Sequence, residues 1–289
     1  MGKRTVLNVW LAIALLVLVW VVWQEPGHAP KPAAVKLTAL VPATIGKIVI
    51  GNRSGAITLV KQGAEWELVE PVTIAANPAR IENLLQVAQA ESVSRFAAAG
   101  LDLAKFGLSA PAVRLRLNDT ELLFGAVAPV DQRRYVKVGD TVHLIADNYM
   151  YDLGAAAAAY VSRDLVPHGK NIVALELPDM KLSRGAKGEW VATPAAQGVS
   201  QDALQRRIDE WRDAQALQVA PYDRRPEQGA VVIQLDGGQA PLRYGIIARR
   251  PELILARPEI GMQFHLAAEQ AERLLETTNP APAAAAKKN

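Results

Sequence analysis

Glu65-Trp66-Glu67-Leu68-Val69-Glu70-Pro71, with the helix signal that follows at Asn77-Pro78, decides how this chain folds. Trp66 and Leu68 alternate with Glu67 and Val69, the two-residue period of a strand, and Pro71 ends the strand because proline cannot donate to a ladder. Asn77 suits a helix cap and Pro78 its first position, and Ile81, Leu84, Leu85 and Ala88 then form one apolar face. About 124 residues later the same order returns. Glu189-Trp190-Val191-Ala192-Thr193-Pro194 is followed by Ser200 and a helix carrying Leu204, Ile208 and Trp211.

The residues around each unit extend the repeat. Before the first lie strand-like Lys47-Ile48-Val49-Ile50 and Ala56 to Val60. After it come alternating Val113-Arg114-Leu115-Arg116-Leu117, then Glu121 to Phe124, then a hairpin from Tyr135 to Ile145 turning at Gly139-Asp140. The second set reads Ile172 to Leu177, Val231 to Leu235, Leu242 to Gly245, Leu253 to Leu255 and Gln263 to Leu266. Gly125 answers to Gly245, and His143 to His265. Hairpins with one helix inserted after the third strand predict an α+β protein made of two similar antiparallel-sheet-plus-helix repeats, at residues 44–168 and 169–277.

In front of the repeats, Lys3 and Arg4 precede an apolar run from Val6 to Trp23 broken only by Asn8. As a helix it spans roughly 27 Å, enough for a bilayer core. Residues 1–23 are therefore expected to form an uncleaved, single-pass transmembrane anchor. Trp10, Trp20 and Trp23 suit the membrane interfaces, and the basic amino terminus faces the cytoplasm. Residues 24–43, broken by Pro26, Pro30, Pro32 and Pro42, read as a stiff tether. Residues 278–289, Ala-rich and ending Lys287-Lys288-Asn289, read as a disordered tail.

The Trp-to-Pro strand, the capped helix, the bend Phe106-Gly107-Leu108-Ser109-Ala110-Pro111 and the Tyr135-to-Ile145 hairpin together resemble the bacterial envelope family known as domain of unknown function 4340. The resemblance implies a membrane-anchored periplasmic protein and, from the company some relatives keep, an ABC-type transport system as the partner class. It brings no catalytic residues. The second repeat departs from the pattern, because nothing like the Gly-Leu-x-x-Pro bend lies between Ala216 and Gly229.

Composition and motifs narrow the chemistry. The 289 residues are 50% hydrophobic, so a large core is available, and no Cys is present for thiol catalysis, disulfides or thiolate metal sites. A formal net charge of +3, partly at the termini, argues against nucleic acid as a partner. A nucleophile elbow, a phosphate-binding glycine loop and a His-x-x-x-His pair are all missing from the sequence. No enzyme activity, cofactor or metal is expected. Trp66 and Trp190, at the same place in both repeats, read as core. Arg133, Arg134, Arg249 and Arg250 fall in matching connections and form the candidate docking surface for an acidic partner. Two functions fit these features: a non-enzymatic accessory or scaffold protein of an inner-membrane complex, or a periplasmic module binding a lipid, glycan or peptide in a groove between the repeats.

Overall fold

The computed structural model describes residues 35–129, 131–195, 199–238 and 240–275, together with residues 2, 10, 12–17, 19 and 20. Most of the expected anchor, the tether up to residue 34 and the tail lie outside the described residues, as does Trp23. Trp10 and Trp20 are helical and exposed. Among the described residues no helix is long and apolar enough to cross a membrane.

Two antiparallel sheets and a few short helices make up the described chain. The first sheet contains β1 (Val35–Lys36), β2 (Lys47–Asn52), β3 (Gly55–Gln62), β4 (Glu65–Glu70), β5 (Ile74–Ala75), β6 (Glu91–Ala97), β7 (Val113–Leu117), β8 (Thr120–Val127), β9 (Arg133–Val138) and β10 (Thr141–Ala146). The second contains β11 (Ile172–Glu176), β12 (Lys181–Arg184), β13 (Trp190–Thr193), β14 (Gln218–Pro221), β15 (Ala230–Leu235), β16 (Leu242–Ala248), β17 (Leu253–Arg257) and β18 (Met262–Leu266).

The spatial orders show the duplication. The first sheet runs β5-β4-β3-β2-β7-β8-β9-β10-β6-β1, and the second runs β13-β12-β11-β15-β16-β17-β18-β14. Without the two-residue edges β5 and β1, the two orders are the same permutation. Registers agree as well: Lys61 faces Trp66 and Val113 faces Phe124, as Arg184 faces Trp190 and Val231 faces Tyr244. The first sheet begins at Val35, inside the stretch read as tether. There the Leu37 amide donates to the Ala90 carbonyl at 2.8 Å and Leu37 is buried.

Each helix forms for a local reason. In α1 (Pro78–Gln86) the Asn77 side chain accepts from the Ala79 amide at 3.1 Å, and Pro78 occupies a position that needs no donor. After the short α2 (Met150–Leu153), α3 (Gln201–Arg212) begins at Ser200, which accepts from the Ala203 amide at 3.3 Å. Its buried Leu204, Ile208 and Trp211 face the second sheet, and Trp211 Nε1 donates to the Leu274 carbonyl of α4 (Ala268–Leu275) at 2.9 Å.

One continuous core joins the two sheets through the segment from Tyr160 to Val166. The Leu165 amide donates to the Ala214 carbonyl at 3.1 Å, and the Ala216 amide to the Arg163 carbonyl at 2.8 Å. Tyr244, fully buried in the second sheet, donates its hydroxyl to the Leu165 carbonyl at 2.5 Å. Burial pushes that phenol up to about 12, so it stays a donor at neutral pH.

The Phe106-to-Pro111 bend crosses the first sheet over Gly125. A Cβ at Gly125 would lie 2.3 Å from the Phe106 carbonyl oxygen and 2.9 Å from Leu108 Cδ2. Gly107 completes the bend at φ 67, and its own missing Cβ leaves room for the Ala126 amide. In the second sheet the matching place over Gly245 is taken by the Glu227 side chain, held by Arg243 at 3.0 and 2.5 Å. Gly125→Ala is therefore expected to lower the unfolding free energy by about 2 kcal/mol, because the obstructing atom is backbone. Gly46→Ala, with nothing within 4 Å of its Cβ, should change it by less than about 0.5 kcal/mol, both read from urea melts.

Candidate functional site: an apolar cleft beside Trp66

Between β4, α1 and the connector from Ser162 to His168 lies a cleft of about 320 Å³. Its walls are mainly apolar: Trp66 and Ile74 from the sheet, Ile81 and Leu85 from α1, Leu165 and Pro167 from the connector. The second repeat contributes Arg257, so the cleft opens at the junction of the two copies. Glu65, Glu82 and Asp164 add carboxylates to the lining.

The polar groups are arranged unevenly. Asp164 Oδ2 accepts from the Ser162 hydroxyl at 2.9 Å and its Oδ1 from Gln215 Nε2 at 2.8 Å, so this carboxylate is a structural staple. Arg257 is held by Glu259 at 2.8 Å and lies 5.6 Å from the Tyr244 ring centroid. Glu65 and Glu82 are exposed. Ser162 is buried and already donates to Asp164, which leaves it no role as a nucleophile.

The two tryptophans expected in the core part company here. Trp190 is 2% exposed; its Nε1 donates to Gln205 Oε1 at 2.8 Å, and the Arg184 guanidinium lies 4.2 Å from its ring centroid. Trp66 is half-buried, packing against the core on one side and lining the cleft on the other. What differs is the cover over each ring, and the strand pattern alone carries no signal of it.

The four arginines of the candidate docking surface also divide. Arg134 forms a two-point pair with Asp147 at 2.5 and 2.8 Å and donates to the Gly125 carbonyl, with its side chain only 13% exposed. It is a cross-link between strands and cannot serve a partner. Arg133 stands 3.6 Å from Asp131, and Arg250, exposed at the surface, 3.6 Å from Glu272. Arg249 is exposed. The structure therefore does not reproduce one basic surface twice: Arg133 and Arg134 are only partly exposed, whereas Arg249 and Arg250 are exposed and line a surface hollow with Glu269 and Glu272.

His143 and His265 are out of step by one residue. His143 pairs with core residue Val136, whereas His265 pairs with Ile254, which belongs to a separate cluster on the outer face with Ile247 and Ala256. Facing residues of an antiparallel pair share a face, so the two histidines point to opposite sides of their sheets. Ser92 donates its hydroxyl to the Ser94 carbonyl, which makes His143 Nδ1 the donor to Ser92 Oγ at 3.0 Å. Among the described residues no cluster of three potential metal ligands exists. Another cavity at the junction, about 600 Å³, is lined by Arg80, Tyr151, Arg163 and Leu217. Arg80 is already engaged there by Asp152 and by the Tyr151 ring.

Fold and cleft together define a duplicated α+β protein whose copies diverge at one tryptophan. Residues 66–220 match the family described as Domain of unknown function (DUF4340), and the chain belongs to that family. The match begins at the cleft tryptophan and ends at the last residue but one of β14. No curated protein and no solved structure matches the chain.

Trp190→Ala is expected to cost about 3–5 kcal/mol in chemical denaturation, and Trp66→Ala about 1–2 kcal/mol, because only the first empties a closed site. Burial first, then the Arg95 guanidinium, holds the His143 imidazole below its ordinary value of 6.5. The unfolded chain thus takes up this proton first on acidification. The stability contribution is complete above pH about 6.5 and is lost as pH falls from there through the lower folded value. His143→Gln should flatten the fall in unfolding free energy between pH 7 and 5 relative to the parent chain.

Proposed function

We propose that this chain is a non-enzymatic periplasmic binding module, held at the inner membrane by residues 1–23, and that the Trp66 cleft is where it takes its ligand. The observation that carries this reading is the apolar cleft at the junction of the repeats. A volume of about 320 Å³ falls at the lower end of the range of small-molecule and peptide sites. The aromatic and branched walls favour a ligand with an apolar body over a glycan, whose many hydroxyls would each need a partner.

The wider role is that of an accessory or scaffold protein in an envelope complex, with an ABC-type transport system as the partner class that the family resemblance implies. In this reading the anchor and tether bring the cleft to its partner, and the fused core of the two repeats keeps the cleft rigid. Arg249 and Arg250 remain the candidate contact for an acidic surface, now without Arg133 and Arg134.

Site-specific photocrosslinking in bacterial membranes tests the cleft. Full-length chain carrying a benzoylphenylalanine in place of Ala64, an exposed residue of the cleft lining, should give a discrete adduct; the same group in place of Val191, on the exposed edge strand of the second sheet, should not. Equal adduct patterns from the two positions, or none from position 64, would remove the cleft as the binding site.

A further inference from the structure

The second repeat shows what the first repeat's cleft is built to hold. Trp66 and Trp190 are register equivalents, facing Lys61 and Arg184 on the neighbouring strands. The Trp190 ring is covered by the Arg184 guanidinium at 4.2 Å, and its indole N–H is held by Gln205, five residues beyond the helix cap Ser200. Counting five from the cap Asn77 gives Glu82. The first repeat thus keeps the tryptophan, replaces the amide by a carboxylate and leaves the ring facing a cleft. Among the described residues no guanidinium or ammonium group lies over the Trp66 ring.

The charge of the lining points the same way. Glu65, Glu82 and Asp164 contribute three carboxylates, against one guanidinium, Arg257, which Glu259 already neutralises. His168 also lines the cleft and is exposed. An aromatic face beside the exposed carboxylates of Glu65 and Glu82 attracts a cation, and a planar guanidinium can stack on the ring while pairing with a carboxylate. The remaining walls, Ile74, Ile81, Leu85 and Leu165, require apolar groups on either side of that cation.

We propose that the cleft receives an arginine side chain carried on an apolar peptide segment of a partner, stacked on Trp66 as Arg184 stacks on Trp190 and paired with Glu82 and Glu65. This proposal rests on the reading of the cleft as the binding site and names the class of ligand that fills it. Exposed carboxylates make the pairing sensitive to salt, whereas the stacking is not.

The test uses the full chain in phosphatidylcholine nanodiscs, titrated calorimetrically with acetyl-Leu-Arg-Leu-amide and with its citrulline counterpart, which has the same shape and no charge. The arginine peptide should bind at least about tenfold more tightly than the citrulline peptide. Glu82→Gln should bring the two close together by weakening only the arginine peptide. Lys61→Arg, a conservative change that supplies a guanidinium from the position equivalent to Arg184, should weaken the arginine peptide by about fivefold or more, because the ring is then covered from within the chain. Trp66→Leu should weaken both peptides, with a single cooperative thermal transition well above the assay temperature as the control for folding. Equal affinity for the two peptides, together with loss of both in Trp66→Leu, would overturn the arginine assignment and leave the cleft as an apolar site. Binding indifferent to Trp66→Leu and to Lys61→Arg would overturn the site as well, and absence of arginine-peptide binding at millimolar concentration would overturn the assignment.

Discussion

Tyr244 donating to the Leu165 carbonyl from a fully buried position is the contact on which the arrangement of the two sheets turns. A buried phenol needs a partner, and here the partner belongs to the connector that leaves the first repeat. The same connector is held by Ala214 and Ala216 of the second repeat through backbone hydrogen bonds on both sides of Asp164. Residues that could have been a flexible hinge are therefore part of one core. The cleft wall formed by Leu165 and Pro167 inherits that rigidity, since Leu165 is fixed at its amide and its carbonyl.

Duplication then explains how a site arises on a fold with few special features. Both copies keep the strand permutation, the tryptophan strand and the capped helix, because these determine the core. They differ where the sheets are covered. Over Gly125 the cover is a backbone bend and over Gly245 a side chain; over Trp190 it is an arginine and a glutamine, and beside Trp66 an open cleft. Covers lie outside the hydrophobic repeat, so they can change without unfolding the sheet. In the second copy they close the surface, and in the first they leave a ring accessible.

The basic residues show the opposite lesson. Sequence places Arg133-Arg134 and Arg249-Arg250 in matching connections, yet Arg134 lies within a strand and is locked to Asp147, thirteen residues away and just past the end of the neighbouring strand. Whether an arginine is a docking group or a cross-link depends on which carboxylate the sheet register brings beside it. The histidines follow the same rule. Their spacing in the chain is parallel, but one residue of register sends His143 to the core and His265 to the outer face.

The repeat is legible from local periodicity: the alternating strands, the Asn77 and Ser200 caps, the Trp-to-Pro strands and the α+β class all follow from a pattern written residue by residue. Its limits lie at the edges of that pattern, where Val35 and Lys36 pair with β6 despite the surrounding prolines, because strand pairing there is decided by a partner some 55 residues away. The cleft was not legible, since Trp66 and Trp190 occur in equivalent strands and only the groups brought over them from elsewhere separate an open ring from a closed one. Burial, register and ion pairing are properties of neighbours in space, and the tertiary structure alone says which neighbours those are.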